Sequence, residues 1–170
     1  MNIKEYQKET QRTCPDLGNK ELNILHMDLG IATEIGEVLD IFKKNIAYNK
    51  ELDLVHIGEE IADICWYITN KARLEGITLD EIEAWNLAKY QKEVDSLSNI
   101  CSILIYFVMY IHDYNKFLGI LKAITNHFEL DFDKLLDNNI AKLKVRYPDK
   151  FTNEQALNRN LEKERKELEK

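Results

Sequence analysis

Four acidic residues stand in two pairs, at a spacing suited to metal-ion chemistry. Glu34 and Glu37 are three residues apart, and so are Glu60 and Asp63. Residues three apart share one face of an α-helix. Apolar residues flank each pair at helical spacing. Each predicted helix therefore carries two carboxylates beside its buried stripe.

The two pairs are expected to lie close together. The polar segment between their helices, residues 45–52, is short, which predicts an antiparallel arrangement. Four nearby negative charges raise each other's pKa values, and a bound cation would stabilise them. No Cys or His stands at ligand spacing, so oxygen donors favour Mg²⁺ or Mn²⁺ over zinc. Alternatively, these carboxylates are ordinary solvated helix residues.

Several neighbours of the pairs allow two interpretations. Lys43 and Lys44 end the first predicted helix, where they either interact with the helix dipole or contact a phosphate. His56 precedes the second pair by one helical turn, as a partner of the site or as a surface or core residue. Trp66 and Tyr67 directly follow the second pair, as core aromatics or as a stacking surface for a base.

A second constellation lies near the C-terminus. Asn139, Lys142 and Arg146 stand at i, i+3 and i+7, with Tyr147 beside them. One helix face thus presents an amide and two cations, which fits a solvated basic helix end. Opposite an acidic metal site, the same face would complement a polyphosphate, with metal ions on one side and Lys and Arg on the other.

Composition favours one helical domain spanning residues 1–170. The 170 residues include only two prolines and six glycines, and long stretches show a 3.6-residue period. The net charge of −7 argues against a general nucleic-acid binder. It does not exclude a small phosphorylated ligand, whose charge metal ions can neutralise.

The sequence also favours a cytoplasmic protein without a membrane partner. Cys14, Cys65 and Cys101 are scattered and odd in number, which fits free thiols in a reducing compartment. The N-terminus is too polar for a signal peptide. The longest apolar run, residues 100–111, contains Ser102 and is too short to span a bilayer.

Periodicity and capping residues predict the helices. Apparent capping boxes begin at Thr78 and Thr152. The helix predicted at 96–112 is apolar almost all round, so it must be buried inside the domain or against a second subunit. The charged C-terminus, residues 153–170, is expected to be a solvated helix or to fray. The predicted helices cover residues 3–12, 20–44, 53–75, 78–93, 96–112, 116–128 and 131–145.

Several segments of the sequence resemble those of a known protein family. The segments EIGEVLDIFKK (34–44), EEIADICWYI (59–68), NIAKLKVRYPDKF (139–151) and ALNR (156–159) are similar to those of the MazG-like, all-α nucleoside triphosphate pyrophosphohydrolases, as is the opening EYQKETQRT. The resemblance covers about residues 4–76 and 131–160.

The resemblance implies a fold and an activity. The fold would be an all-α, MazG-like helical bundle completed by dimerisation or tetramerisation. The enzyme would hydrolyse an NTP or dNTP between the α and β phosphates, giving the monophosphate and pyrophosphate. Metal-assisted in-line attack on phosphorus agrees with such a carboxylate cluster.

The resemblance also implies site residues. Mg²⁺ would be held by Glu34, Glu37, Glu60 and Asp63, and one of these carboxylates would orient the attacking water. Phosphate contacts would come from Asn139, Lys142, Arg146 and Tyr147, with Lys43 or Lys44 as helpers.

One departure from the family concerns residues 80–130, which read as an inserted helical hairpin. Short family members place the Asn-x-x-Lys segment soon after the second carboxylate helix, where Asn86 and Lys89 stand. Residues 78–90 also resemble residues 131–143. The RYP context favours Asn139 and Lys142. The insertion would either replace part of a partner subunit or enlarge the dimer interface.

Other functions stay open at this point. An all-α dUTPase-like nucleotidase would differ mainly in base selection, and a helical regulatory protein would bind metal or nucleotide without turnover. A ferritin-like di-iron bundle would need Glu-x-x-His pairs, which the sequence lacks. Base and sugar preference are undetermined, and the candidate base contacts are Trp66, Tyr67, Tyr48 and Asn70.

Overall fold

The computed structural model describes residues 1–81, 83–110 and 113–169. At residues 84 and 85 it describes the backbone but not the side chains. This part of the chain forms helices and no strand, which confirms the all-α prediction. Its helices are α1 (Ile3–Thr10), followed by a 3₁₀ turn (Gln11–Thr13), α2 (Lys20–Tyr48), α3 (Leu54–Leu74), α4 (Ala84–Glu93), α5 (Leu97–Met109), α6 (Tyr114–His127), α7 (Phe132–Arg146), α8 (Asn153–Leu157) and α9 (Leu161–Leu168).

The centre of the fold is an antiparallel pair, α2 and α3. Lys71 near the end of α3 bonds Asp28 near the start of α2, at 2.5 Å, while His56 at the start of α3 lies near Glu37 further along α2. Both helices bury an apolar stripe at helical spacing. The short connection predicted this antiparallel packing.

Helix α2 is longer than predicted. It continues four residues beyond Lys44 to Tyr48, and Asn49 ends it in the left-handed conformation, with φ of 53°. Asn tolerates this conformation better than most residues. Lys43 and Lys44 therefore lie inside the helix, so their predicted place at its last turn is wrong.

The predicted helix start at Thr78 is also wrong. Residues 78–81 and 83 are not helical, and α4 begins at Ala84. Ile82 lies outside the described residues. Leu79 is completely buried, and its N–H donates to Gln7 Oε1 at 3.2 Å. Burial of this leucine and its tertiary bond to α1 thus override the local capping pattern.

The inserted segment packs back on the central pair. Helix α4 contacts α6, α5 contacts α2, and α6 contacts α3. Helix α5 buries one face through Ile100, Leu104 and Phe107. Its other face stays exposed, so burial all round is not observed within the chain. The predicted helix end at His112 lies outside the described residues.

The C-terminus does not behave as a solvated or fraying tail. Helix α9 packs against α7, and the side chain of Glu164 is buried. Asn138 Nδ2 on α7 also donates to the carbonyl of Leu168, at 3.3 Å. Among the described residues, no helix has the length and apolar character needed to cross a membrane.

Candidate functional site

Carboxylates from α2 and α3 converge as their spacing suggested. One oxygen from each of Glu34, Glu60 and Asp63 lies within 4.8 Å of the other two. Glu37 forms a second such cluster with His56 and Glu60. The antiparallel pairing of α2 and α3 produces this convergence, because each pair faces the other helix. Both clusters could hold a metal ion, and Glu60 belongs to both.

His56 is closer to this site than expected. Its Nε2 lies 2.7 Å from Glu60 Oε1, one helical turn away. The expectation of oxygen donors alone is therefore wrong, because an imidazole nitrogen belongs to the second cluster. The i, i+4 spacing of His56 and Glu60 was the signal in the sequence.

Crowding of the carboxylates shifts their proton affinity. Burial, together with the charges of Asp63 and Glu37, raises the pKa of Glu34 to about 7. Burial and the hydrogen bond to Glu34 raise the pKa of Glu60 further. The two carboxyl groups share a hydrogen bond, and the pair therefore binds a proton more readily than isolated carboxylates do.

A buried cation balances Asp63. Lys142 Nζ donates to both Asp63 oxygens, at 2.8 and 2.6 Å, and to Glu59 Oε1 at 3.3 Å. Burial alone would lower the pKa of Lys142, but Asp63 and Glu59 raise it above its ordinary value. Lys142 is therefore a charged group held between two carboxylates.

Asn139 completes this arrangement. Its Nδ2 donates to Asp63 Oδ1 at 2.6 Å, and its Oδ1 accepts from the Tyr6 hydroxyl at 2.7 Å. Tyr6 on α1 also donates to the carbonyl of Ala62, at 3.1 Å. The Asn139 side chain is fully buried, and both its amide nitrogen and its amide oxygen are hydrogen-bonded within the protein. Asn139 is therefore placed to orient Asp63.

Of the two Asn-x-x-Lys segments, the structure brings the one at Asn139 and Lys142 to the carboxylates. Asn139 and Lys142 contact a site carboxylate, whereas Asn86 lines a separate cavity with Asp80 and Tyr90. Lys89 is exposed on α4. The predicted phosphate contacts of Asn139 and Lys142 are not what this geometry favours, because both side chains face Asp63 and are fully buried.

A cavity of about 670 Å³ opens beside the carboxylates. Glu34, Glu37, Glu59, Glu60 and Asp63 line its acidic side. The rest of the lining is apolar or basic. Its residues come from the N-terminal loop, α2, α3 and the C-terminal part of the chain, and they include Pro15, Leu17, Leu22, His26, Leu29, Trp66, Tyr67, Leu143, Arg146, Tyr147, Phe151 and Arg159.

Two aromatic residues of α3 form part of the apolar wall. The rings of Trp66 and Tyr67 meet edge to face, with centroids 4.9 Å apart. Trp66 Nε1 donates to Thr13 Oγ1 at 3.0 Å. Burial, with the charges of Glu34 and Asp63, raises the pKa of Tyr67 to about 12. Both rings therefore lie in the cavity wall beside the carboxylates.

The other two candidate base contacts lie elsewhere. Tyr48 is exposed at the C-terminal end of α2. Asn70 is completely buried, and its Nδ2 donates to the carbonyl of Trp66 at 3.0 Å. Neither residue lines the carboxylate cavity.

The predicted cations divide into two groups. Arg146 lines the carboxylate cavity, and Tyr147 lines it beside Phe151, with ring centroids 5.4 Å apart. Lys43 and Lys44 both pair with Asp40 on the outside of α2. Lys44 lines a second cavity of about 570 Å³, which shares Glu37 and His56 with the site.

Sequence reasoning missed some residues of the site. Tyr6 bonds Asn139, and Glu164 bonds Arg146. Of these, Tyr6 lies inside a segment with a family resemblance and Glu164 does not. Their pairings join positions far apart in the chain, so no local spacing indicates them.

The chain was compared with protein-family models, with curated proteins and with solved structures, and none of them matched.

Proposed function

We propose that this protein is a metal-dependent nucleoside triphosphate pyrophosphohydrolase of the MazG-like type, which converts an NTP or dNTP to the monophosphate and pyrophosphate. One observation carries the proposal. Glu34, Glu60 and Asp63 converge in a cavity that is also lined by arginine and by the aromatic side chains of Trp66 and Tyr67. This combination suits a triphosphate attached to a planar base.

The donor set fits Mg²⁺ or Mn²⁺. Carboxylate oxygens are the ligands that hard divalent ions prefer. Burial, and then repulsion between the carboxylates, raises the pKa values of Glu34 and Glu60, and a bound cation would offset both effects. Glu34, Glu37, Glu60 and Asp63 would hold the metal, with His56 at the edge of the site. When bound, the ion supplies charge neutralisation and a more acidic water.

The remaining residues of the site would bind the nucleotide or orient Asp63. Lys142 and Asn139 donate hydrogen bonds that hold the Asp63 carboxylate in one direction, so they act as positioning residues. Arg146 faces the cavity and would contact a phosphate. Trp66 and Tyr67 would flank the base.

The proposal includes a homo-oligomer in the cytoplasm. Ile105, Tyr106 and Met109 form an exposed apolar face on α5, which fits burial against a second copy. The cysteines are free, as expected in a reducing compartment.

The test is pyrophosphate release from a panel of NTPs and dNTPs, with Mg²⁺ and with EDTA. We expect metal-dependent formation of monophosphate and pyrophosphate, reduced at least about 100-fold in Glu37→Gln and Glu60→Gln. Glu21→Gln, on the exposed first turn of α2, is the matched control. Nucleotide binding with Mg²⁺ but without turnover would instead indicate a non-catalytic binding protein.

A further inference from the structure

A buried carboxylate from the C-terminal helix lies between two arginines of the cavity wall. Glu164 on α9 is 2% exposed. It accepts hydrogen bonds from Arg146 Nε and Nη2, at 3.1 and 2.6 Å. It also accepts from Arg159 Nε and Nη2, at 3.3 and 2.9 Å. Both arginines line the cavity that contains the acidic cluster.

Glu164 orients each guanidinium but does not use all of its N–H donors. A guanidinium carries five N–H donors in a fixed plane. Glu164 engages the Nε and Nη2 edge of each group, so Nη1 lies on the edge away from it. A carboxylate that holds one edge of two planar cations fixes the direction of the remaining donors.

The local charge also suits an anion. Two arginines and one glutamate leave one net positive charge on this part of the cavity wall, and Arg146 interacts electrostatically with Asp63. A phosphate group in the cavity would be neutralised both by cations held at the carboxylates and by the arginines.

Tertiary contacts hold the C-terminal segment, residues 152–169, which carries Arg159 and Glu164. Helix α9 packs on α7, and Arg165 Nη2 lies 3.4 Å from Asp53 Oδ1 at the start of α3. Phe151, which precedes the segment, packs on Tyr147. The segment is therefore a structural part of the cavity wall.

We propose that Arg146 and Arg159 form a two-arginine clamp for a phosphate group of the ligand, and that Glu164 is the positioning residue for both. This inference rests on the proposed function, because it assumes a polyphosphate ligand. It adds a residue, Arg159, and a segment, 152–169, to the site.

The test uses the full-length chain and inorganic tripolyphosphate, titrated calorimetrically in the presence of Mg²⁺. Arg159→Gln should raise the Kd about tenfold, which is the loss of roughly one charge-assisted bidentate contact. Arg165→Gln is the matched control, because this arginine belongs to the same segment but pairs with Asp53 and Glu169 instead. Equal losses in both variants would overturn the clamp and indicate general loosening of the segment.

Two further variants separate positioning from simple folding effects. Arg159→Lys keeps the charge but loses the planar fork, so we expect a Kd about three- to tenfold above wild type at an unchanged melting temperature. Glu164→Gln should also weaken binding. Tighter binding in Glu164→Gln would mean that Glu164 competes with phosphate, which overturns its positioning role.

Failure of the clamp and failure of the proposed function give different results. If wild type binds tripolyphosphate through Arg159 but hydrolyses no nucleotide, the clamp stands and the proposed reaction falls. If Arg159→Gln binds tripolyphosphate as tightly as wild type while nucleotide hydrolysis is metal-dependent, the reaction stands and the clamp falls.

Discussion

Lys142 is the buried cation that neutralises charge in the carboxylate site. Its side chain is fully buried, and its ammonium touches Asp63 and Glu59, which are themselves only partly exposed. Removing one member of a buried ion pair costs far more than the pair contributes, because the remaining charge stays buried without a partner. Lys142 is thus a structural requirement of the site in addition to any effect on the ligand.

Lys142→Met should therefore destabilise the protein. We expect a loss of about 3 kcal/mol in the free energy of unfolding, measured by urea denaturation in EDTA. Lys144→Met, two residues along the same helix but exposed, should change stability by less than about 0.5 kcal/mol. Similar losses in both variants would contradict the role assigned to Lys142.

The Glu34–Glu60 pair makes stability depend on pH in an unusual direction. The pKa of Glu34 rises from 4.5 to about 7 on folding, so between these values the folded state binds more protons than the unfolded state. Stability from this source is present at the acidic end of the interval and is lost as pH rises through the folded pKa. The pKa of Glu60 is also raised, with the same sign.

In EDTA, the melting temperature should fall as pH increases from about 5 to about 8. Glu34→Gln should flatten this dependence, while Glu21→Gln should retain it. On the proposed function, Mg²⁺ should restore stability at pH 8, because it binds the ionised carboxylates. A wild-type melting temperature that stays level or rises over this interval would refute the assignment.

At the scale of helices, Gly30 sets how closely α3 approaches α2. A Cβ at position 30 would overlap the ring of Tyr67, whereas a Cβ at Gly36 would meet nothing within 4 Å. The two glycines lie on the same helix but have opposite surroundings. Glycine is therefore required at the first position and merely tolerated at the second.

Gly30→Ala should cost about 1–3 kcal/mol of stability, because the Tyr67 ring must move from its packed position. Gly36→Ala should raise stability by up to about 1 kcal/mol through better helix propensity. Thermal unfolding monitored by circular dichroism compares the two. Nucleotide affinity altered only in Gly30→Ala would show that the cavity wall has shifted.

At the scale of the whole molecule, the exposed apolar face of α5 is a candidate surface for association with a second copy of the chain. Ile105, Tyr106 and Met109 are 56%, 56% and 68% exposed, while the opposite face of α5 packs on the core. On the proposed function, a second copy covers this face, and the inserted segment then enlarges the subunit interface.

Light scattering should therefore give at least twice the chain mass of 20.0 kDa. Ile105→Lys combined with Met109→Lys should shift the protein to the monomer, since burying two lysines in an apolar contact is unfavourable. Leu157→Lys combined with Leu161→Lys, which also changes exposed apolar residues, should leave the mass unchanged. A wild-type monomer would mean that the insertion does not serve as an interface.

Much of the helical architecture was predictable from local pattern. The 3.6-residue period located α2, α3 and α7, and the i, i+3 spacing put each acidic pair on one helix face. These features follow from the geometry of one helix and its immediate neighbours, so a single sequence contains them. The predicted start at Thr78 failed because Leu79 is buried and its N–H bonds Gln7 on α1, which is distant in the sequence.

The sequence by itself therefore determined the helices, the acidic pairs and the cations available to face them. Only the tertiary structure decided which of these groups meet. Lys142 faces Asp63 rather than the open cavity, His56 joins Glu60, and Glu164 returns from the C-terminus to hold Arg146. The physical reason is that spacing along a helix specifies which residues share a face, whereas the partner of that face depends on how all the helices pack together.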